Sequence, residues 1–198
     1  MGNLVKETPF SEITATLEVL DAWGVTREDL TFLRKSRTLA KKIAEMIMSS
    51  KQKVRETYKV VVDYGLSLAE MIKSGNYHWF NDNITAKNFP LEGNGKQEAE
   101  LVMVHLNRDA TTKEVLEYLK EQGLEPAKIE HLLAFGTSYP DVQREFPIAG
   151  LGSVWVDADG DRSYPWLDCN DSQRELSLDW NDGDFPWDDS WRFLALRK

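Results

Sequence analysis

The hydrophobic periodicity of the sequence changes near Thr57, and this change constrains the fold more than any other feature. Before it, two sets of apolar residues recur at helical spacing. These sets are Ile13, Leu17, Leu20 and Leu39, Ile43, Met46, Ile47. After it, β-branched and aromatic residues dominate, beginning with the strand-like run Tyr58–Tyr64. We therefore predict a helical N-terminal unit over residues 1–53 and an α+β domain over residues 54–198.

The composition fits a globular protein that needs no disulfides. Its 198 residues are 41% hydrophobic, enough to bury a sizeable core. The single cysteine, Cys169, excludes an internal disulfide or a Cys-based zinc cluster and favours a reducing compartment. No apolar run approaches the roughly 20 residues of a membrane span, and the first residues lack the apolar segment of a signal peptide. We expect a cytoplasmic protein.

The first half of the α+β domain is predicted to hold two strand-then-helix units followed by another helix. Its predicted elements are strand Tyr58–Tyr64, helix Leu66–Lys73, loop 81–98, strand Glu100–Leu106, helix Thr111–Gln122 and helix Ala127–Phe135. Thr111 and Glu114 form a capping-box pattern, and Gly123 and Gly136 are predicted to lie just beyond helix ends. In the N-terminal unit, Thr26 and Asp29 have the capping-box spacing as well.

Four strands are predicted in the last third of the chain. They are Ile148–Val156, Arg162–Leu167, Arg174–Trp180 and Trp191–Leu196. Short polar turns connect them, which favours antiparallel pairing, and alternating residues in the third indicate one buried face. The expected fold class is α+β, with short N-terminal helices, strand–helix units and a C-terminal antiparallel sheet.

Charge is distributed unevenly along the chain. Residues 27–59 carry ten basic and four acidic residues, a net charge of +6, whereas residues 157–189 carry two basic and eleven acidic ones, a net charge of −9. The basic segment predicts contact with a nucleic-acid backbone, and its alternative is a solvated helix face. The candidate nucleic-acid-binding residues are Arg34, Lys35, Arg37, Lys41 and Lys42.

Two acidic stretches have the residue types of calcium loops, because closely spaced carboxylates supply hard oxygen ligands. The candidate metal ligands are Asp157, Asp159, Asp161, Asn181 and Asp182. Their alternative is a pair of turns, in which Asp, Asn and Gly are favoured for their backbone preferences. No cofactor is predicted to be required, and calcium stays an open alternative.

Five of the seven tryptophans lie in the last 44 residues, among Asp and Asn side chains. Aromatic faces beside short polar side chains are typical of sites for polar ligands. The candidate ligand-binding residues are Trp166, Trp180, Trp187 and Asp184. Alternatively, the tryptophans fill the core of a small sheet. Trp187, which lies between Pro186 and two aspartates, is predicted to be the most exposed.

Sequence patterns assign no catalytic residue. The three histidines His78, His105 and His131 lie far apart without metal-ligand spacing. Cys169 paired with one of them after folding is a possible nucleophile pair, and an inert cysteine is the alternative. We therefore predict a non-catalytic binding or interaction protein that uses the C-terminal Trp- and Asp-rich surface to contact a protein or polar small molecule. Nucleic-acid association through the basic helix is the alternative function.

Two resemblances accompany these patterns. The segments Phe146–Ile148, Leu151–Trp155 and Trp191–Lys198 resemble a group of uncharacterised bacterial proteins that share this C-terminal ending and bring no known function. The order of strands and helices, with Trp180-Asn181-Asp182, resembles the C-type-lectin-like fold. That resemblance implies a last strand that can pair with the first, and calcium ligation by Asn181 and Asp182.

Overall fold

The computed structural model describes residues 8–44, 57–180 and 186–197. The chain divides into two compact units, Met1–Val54 and Arg55–Lys198. The first contains helices α1 (Phe10–Ala22) and α2 (Arg27–Lys35), and residues 37–44 form a third helix, α3. No residue of α1 or α2 is buried. Met46 and Ile47, predicted to extend the apolar face of α3, lie outside the described residues.

The predicted start of α2 is confirmed. The Thr26 hydroxyl accepts a hydrogen bond from the backbone N–H of Asp29 at 3.3 Å, and the Asp29 carboxylate accepts one from the N–H of Thr26 at 2.9 Å. These reciprocal bonds satisfy two N–H groups that have no partner within a helix. Gly24, with φ of +81°, lies in the left-handed region just after α1.

The second unit has the predicted α+β class, with three further helices around one mixed sheet. The helices are α4 (Leu68–Gly75), α5 (Thr112–Glu121) and α6 (Ile129–Ser138). The strands are β1 (Thr57–Asp63), β2 (Trp79–Phe80), β3 (Lys96–Val104), β4 (Leu124–Pro126), β5 (Ile148–Ala149), β6 (Trp155–Val156), β7 (Arg162–Asn170), β8 (Gln173–Trp180) and β9 (Arg192–Arg197).

The strand order is β1-β3-β9-β5-β7-β8-β2, with β4 paired to β9 and β6 paired to β7. Most neighbours are antiparallel, including the β7–β8 hairpin. The antiparallel pairing predicted for the C-terminal strands holds for β6–β7 and β7–β8, whereas β5 pairs in parallel with β9, and β2 with β8. A short turn dictates antiparallel pairing only between consecutive strands. The last strand pairs with β3, β4 and β5.

The predicted strand Ile148–Val156 is wrong, because the chain forms the two short strands β5 and β6 with a turn between them. Gly152 lies in that turn, and its N–H donates to the carbonyl of Ala127 at 2.9 Å. A side chain at Gly152 would overlap backbone atoms of Pro126 and Ala127. Close approach of two backbone segments therefore interrupts the strand.

The capping signals of the second unit are largely confirmed. Thr111 and Glu114 form the capping box that begins α5, and Gly123 follows its end with φ of +67°. Gly136 is an exception, because it lies inside α6 and not beyond its end. A side chain there would overlap the hydroxyl of Tyr77. The glycine is needed for close packing, which its position in the sequence does not reveal.

The core consists of two buried clusters, one on each face of the sheet. Side chains alternate between faces along a strand, so Leu101 and Met103 belong to the first cluster while Val102 and Val104 belong to the second. Helices α4 and α6 cover the first cluster, and α5 covers the second. The sheet is thus the middle layer of three.

Candidate functional site

Trp187, predicted to be the most exposed tryptophan, is only 2% exposed, so that prediction is wrong. Its backbone forms an antiparallel bridge with Ala110, and its indole N–H donates to the Thr112 hydroxyl at 3.0 Å. Its ring packs edge-on against Trp191 at 4.5 Å between centroids. The adjacent aspartates do not expose it, because this bridge places its ring in the second cluster.

The other predicted ligand-binding residues do not form an open aromatic surface in the described residues. Trp166 is half-buried, its ring centroid lies 4.8 Å from that of Trp191, and its buried indole N–H has no partner among the described residues. Asp184 and the side chain of Trp180 lie outside the described part of the chain. For Trp166, Trp187 and Trp191, core packing therefore describes the arrangement better than a ligand platform.

The first acidic stretch forms a turn between β6 and β7. The Asp157 carboxylate accepts hydrogen bonds from the N–H groups of Asp159 and Asp161 at 2.9 and 3.0 Å, and the carbonyl of Asp157 accepts one from Gly160. This is the local pairing by which Asp favours turns. Among residues 8–44, 57–180 and 186–197, no group of three or more His, Cys, Asp or Glu residues could hold a metal. Asn181 and Asp182 lie outside these ranges.

The predicted nucleic-acid-binding residues lie on two consecutive helices. Arg34 and Lys35 occupy the last turn of α2, and the other three belong to α3 (Arg37, Lys41, Lys42). All five side chains are exposed. Ser36 alone separates the two helices, and its hydroxyl accepts a hydrogen bond from the N–H of Leu39.

A cavity of about 560 Å³ lies beside the β2 edge of the sheet and is named the edge cavity here. It falls within the size range of small-molecule sites. Residues from α4, β2 and the following loop surround it. They are Ser67, Leu68, Ala69, Ile72, Lys73, Asn76, Tyr77, Phe80, Ile84, Thr85 and Ala86. The buried members Leu68, Ile72 and Ile84 belong to the first cluster.

Exposed aromatic side chains and one charged group accompany the edge cavity. Trp79 and Phe80 of β2 remain 46% and 43% exposed, although large apolar side chains on a sheet edge are normally covered. Lys73, in the last turn of α4, is the one charged side chain among the described residues that line the cavity. Sequence reasoning missed this site. The apolar pair Trp79–Phe80 beside a loop was its only local signal.

A buried arginine connects the helices of the first cluster to the sheet. Arg174 of β8 is 8% exposed and donates to the carbonyls of Gly75 and Gly136, at 2.7 and 2.6 Å, near the ends of α4 and α6. Its Nε also donates to Gln143 Oε1 at 3.1 Å. A cation there interacts favourably with both helix dipoles. Arg174 therefore positions α4, which forms one wall of the edge cavity.

Tyr77 lies between the edge cavity and Arg174. The Arg174 guanidinium carbon lies 4.9 Å from the centroid of its ring, within cation–π distance. Burial raises the pKa of Tyr77, and its hydroxyl has no hydrogen-bond partner among the described residues. This hydroxyl occupies the space left by the missing side chain of Gly136. The ring thus separates the edge cavity from the buried arginine.

A second cavity, of about 180 Å³, lies between β1, α4 and α6. Glu130, in the first turn of α6, is one of its lining residues and is 2% exposed. Burial raises the pKa of this carboxyl above its ordinary value. Burial also lowers the pKa of the neighbouring His131 to about 4, so His131 is neutral near pH 7 and its Nδ1 accepts a hydrogen bond from the N–H of Lys128.

The predicted alternative of a cysteine–histidine pair gains no support from the described contacts. The thiol of Cys169 lies 3.8 Å from Arg144 Nη1. His105 Nε2 lies 2.7 Å from the carbonyl of Asp189, and His131 contacts Lys128. Cys169, His105 and His131 therefore each contact a residue that is not part of a cysteine–histidine pair.

Comparisons with protein-family models, curated proteins and solved structures found no match to this chain. The resemblances to the uncharacterised bacterial proteins and to the C-type-lectin-like fold therefore stay predictions. In the part of the chain that the structure describes, no helix combines the length and apolar character needed to cross a bilayer.

Proposed function

We propose that this chain is a non-catalytic binding protein and that the edge cavity binds a small amphipathic molecule with an apolar tail and an anionic group. The observation that carries the proposal is the cavity itself, with a volume of about 560 Å³ and predominantly apolar walls. Small-molecule sites are typically concave and mostly apolar, with a few polar groups that fix orientation. The proposed binding site therefore lies at α4 and β2 and not at the C-terminal tryptophans.

The apolar walls favour an apolar tail. Leu68, Ile72 and Ile84 are each less than 10% exposed but border the cavity, so a ligand gains contact with a rigid wall. Phe80 lines the cavity while remaining partly exposed. Covering such apolar surface contributes roughly 25 cal/mol per Å².

The charge at the cavity favours an anion. Lys73 takes part in no ion pair within 4.0 Å among the described residues. Glu70 attracts it at longer range, but the Glu70 carboxylate is hydrogen-bonded to Ser67, so the ammonium group of Lys73 can still pair with a ligand. No acidic side chain lines the cavity in the described part of the chain. A carboxylate or phosphate on the ligand would therefore meet an attractive field.

Calorimetric titration with octanoate, octanol and octylammonium tests this proposal. We expect octanoate to bind most tightly, because its carboxylate pairs with Lys73 while its chain enters the cavity. Lys73→Gln should weaken octanoate about fivefold or more and leave octanol unchanged. Lys113→Gln is the matched control, since Lys113 is an exposed lysine on α5, away from the residues that line the cavity.

A blocking variant tests the location. Ala69 lines the cavity and is exposed, so Ala69→Trp obstructs the site without disturbing buried packing. It should reduce binding of octanoate and octanol alike. Undetectable binding of all three probes by the wild type, or unchanged binding by Ala69→Trp, would overturn the proposal.

Nucleic-acid association is a second candidate function, and the exposure of all five basic side chains on α2 and α3 favours it. Clustered cations release counterions from a phosphate backbone, so binding should weaken steeply with salt. Fluorescence anisotropy with labelled DNA and RNA at 50 and 200 mM salt measures this. Replacing Arg37, Lys41 and Lys42 by Gln should reduce affinity at low salt. Undetectable binding at low salt would eliminate this function.

We propose that this binding requires no cofactor. We also propose a cytoplasmic location, which the single cysteine favours. A calcium site that includes Asn181 and Asp182 stays a prediction. A ligand specific to the folded state must stabilise it, so a higher melting temperature in calcium than in EDTA would support that site. Equal temperatures would indicate that these residues form a turn.

A further inference from the structure

Glu130 is a buried carboxyl group without a direct ionic contact. It is 2% exposed and takes part in no ion pair within 4.0 Å among the described residues. Its own backbone N–H donates to the carboxylate, and the Tyr64 hydroxyl is 3.4 Å from its Oε1, at the long end of hydrogen bonding. Lys128 attracts the carboxylate only at longer range, because its ammonium group pairs with Glu92 at 2.9 Å. The carboxylate is therefore hydrogen-bonded but, among the described residues, has no cation in contact with it.

The second cavity, which Glu130 lines, has the shape and polarity to hold a cation in direct contact with the carboxylate. Its walls are mainly apolar, with Val62, Leu66, Met71, Leu133 and Ala134. Ser74, Thr137 and Ser138 add oxygen acceptors. No Lys, Arg or His lines it in the described part of the chain. Asp63, the other acidic residue there, already pairs with Lys96 at 3.4 Å.

A buried carboxylate without a counterion is costly, and it either takes up a proton or gains a cation. Burial does raise the pKa of Glu130. The apolar walls argue against a bare metal ion, which requires several oxygen ligands. An ammonium group on a short alkyl chain would pair with the carboxylate, while the chain packs against the apolar walls.

We propose that the second cavity binds a small primary alkylammonium ion, with the carboxylate of Glu130 as its ionic partner. This site is separate from the edge cavity, and its ligand has the opposite charge. At about 180 Å³ the cavity has room for a molecule of the size of n-butylammonium. A lysine side chain has the same length but carries the bulk of a peptide backbone, which favours a free amine.

Titration of the isotope-labelled full chain by NMR tests the site with three probes. They are n-butylammonium, neutral n-butanol and Nα-acetyl-lysine methylamide. We expect n-butylammonium to shift the amide signals of α6 and β1 and to bind at least tenfold more tightly than butanol. The lysine derivative should bind more weakly than n-butylammonium. If it binds as tightly, a peptide lysine is the ligand and the assignment to a free amine is wrong.

The Glu130→Gln variant isolates the ionic contact. Glutamine has nearly the same shape without the charge, so this variant should remain folded while its affinity for n-butylammonium falls at least tenfold. Glu117→Gln, on the exposed surface of α5, is the matched control and should bind as the wild type does. Equal affinity of Glu130→Gln and wild type, or no binding to the wild type, would overturn the proposal.

Discussion

The two faces of the sheet are packed with different kinds of side chain. On the second cluster, aromatic rings fill the space, and Trp187 contacts Tyr164, Trp191 and Phe193 at ring-centroid distances of 6.3, 4.5 and 5.8 Å. The first cluster is built largely from aliphatic side chains, and both cavities described above lie against it. The tryptophans thus fill one face, while two cavities remain beside the other.

Buried polar groups also distinguish the faces. Arg174, Gln143 and Glu130 are buried beside the helices of the first cluster. Buried polar groups are costly unless they are hydrogen-bonded. Arg174 and Gln143 make several hydrogen bonds. Glu130 accepts a long one from Tyr64 and one from its own backbone N–H, and has no ion pair within 4.0 Å among the described residues. The first face therefore combines a rigid part around Arg174, whose polar atoms are hydrogen-bonded, with a part around Glu130 in which the carboxylate has no ion pair within 4.0 Å among the described residues.

The largest expected effect tests whether the aromatic face is structural. Trp187→Ala should lower the free energy of unfolding by about 3–5 kcal/mol, because it removes a fully buried ring and leaves a cavity. Trp79→Ala, which truncates a tryptophan 46% exposed on β2, should cost less than about 1 kcal/mol. Urea denaturation measures both. Similar losses for the two variants would contradict the structural role of the buried Trp187.

The second-largest expected loss of stability concerns Arg174, in the rigid part of the first face. Arg174→Met should destabilise the protein by about 3 kcal/mol, since the carbonyls of Gly75 and Gly136 and the amide of Gln143 lose their donor. Arg162→Met, at an exposed position of β7, should change stability by about 0.5 kcal/mol or less. Thermal unfolding compares them. A neutral Arg174→Met would show that these acceptors are satisfied without the guanidinium.

A smaller effect comes from the contact between Tyr77 and Gly136. Gly136→Ala should cost about 1–3 kcal/mol by overpacking against the Tyr77 hydroxyl. Tyr77→Phe should stabilise the protein by about 1 kcal/mol, because it removes a buried hydroxyl without a described partner. In the double variant the loss from Gly136→Ala should shrink. Additive effects in this cycle would disprove the proposed overlap.

The smallest effect concerns Glu130 and its pH dependence. The pKa of Glu130 is raised in the folded state. This group therefore stabilises the folded protein fully below about pH 4.5, and the stabilisation is lost as the pH rises through the raised pKa. Glu130→Gln should therefore gain stability relative to wild type as pH increases across that window. Glu92, Lys128, Tyr64 and Asp63 lie near this group and are present in both proteins. A constant difference from pH 4 to pH 8 would refute the assignment.

Local signals predicted local structure well. The capping boxes at Thr26 and Thr111 and the glycine after α5 depend on residues only a few positions apart, so a single stretch of sequence is sufficient. The α+β class followed from the change of periodicity near Thr57. In contrast, the burial of Trp187 depends on a bridge to Ala110, far away along the chain. The adjacent Asp188 and Asp189 indicated exposure and carried no information on that bridge.

The candidate sites were beyond local prediction for the same reason. The edge cavity combines α4, β2 and the loop that contains Ile84, and none of these segments has a binding motif. Glu130 lies in the first turn of α6, where acidic side chains are common, so the local sequence does not indicate its burial. Its burial arises because α6 packs against β1 and α4. Such juxtapositions are set by the tertiary fold.

The proposed ligands bind on the face covered by α4 and α6. Octanoate-induced changes in the amide and indole signals of the isotope-labelled wild type test this placement. We expect changes at Lys73, Asn76, Phe80 and Ile84, with the indole signals of Trp187 and Trp191 unmoved. Changes concentrated at Trp166, Trp187 and Trp191, or in the turn from Asp157 to Asp161, would contradict it and return the site to the C-terminal tryptophans.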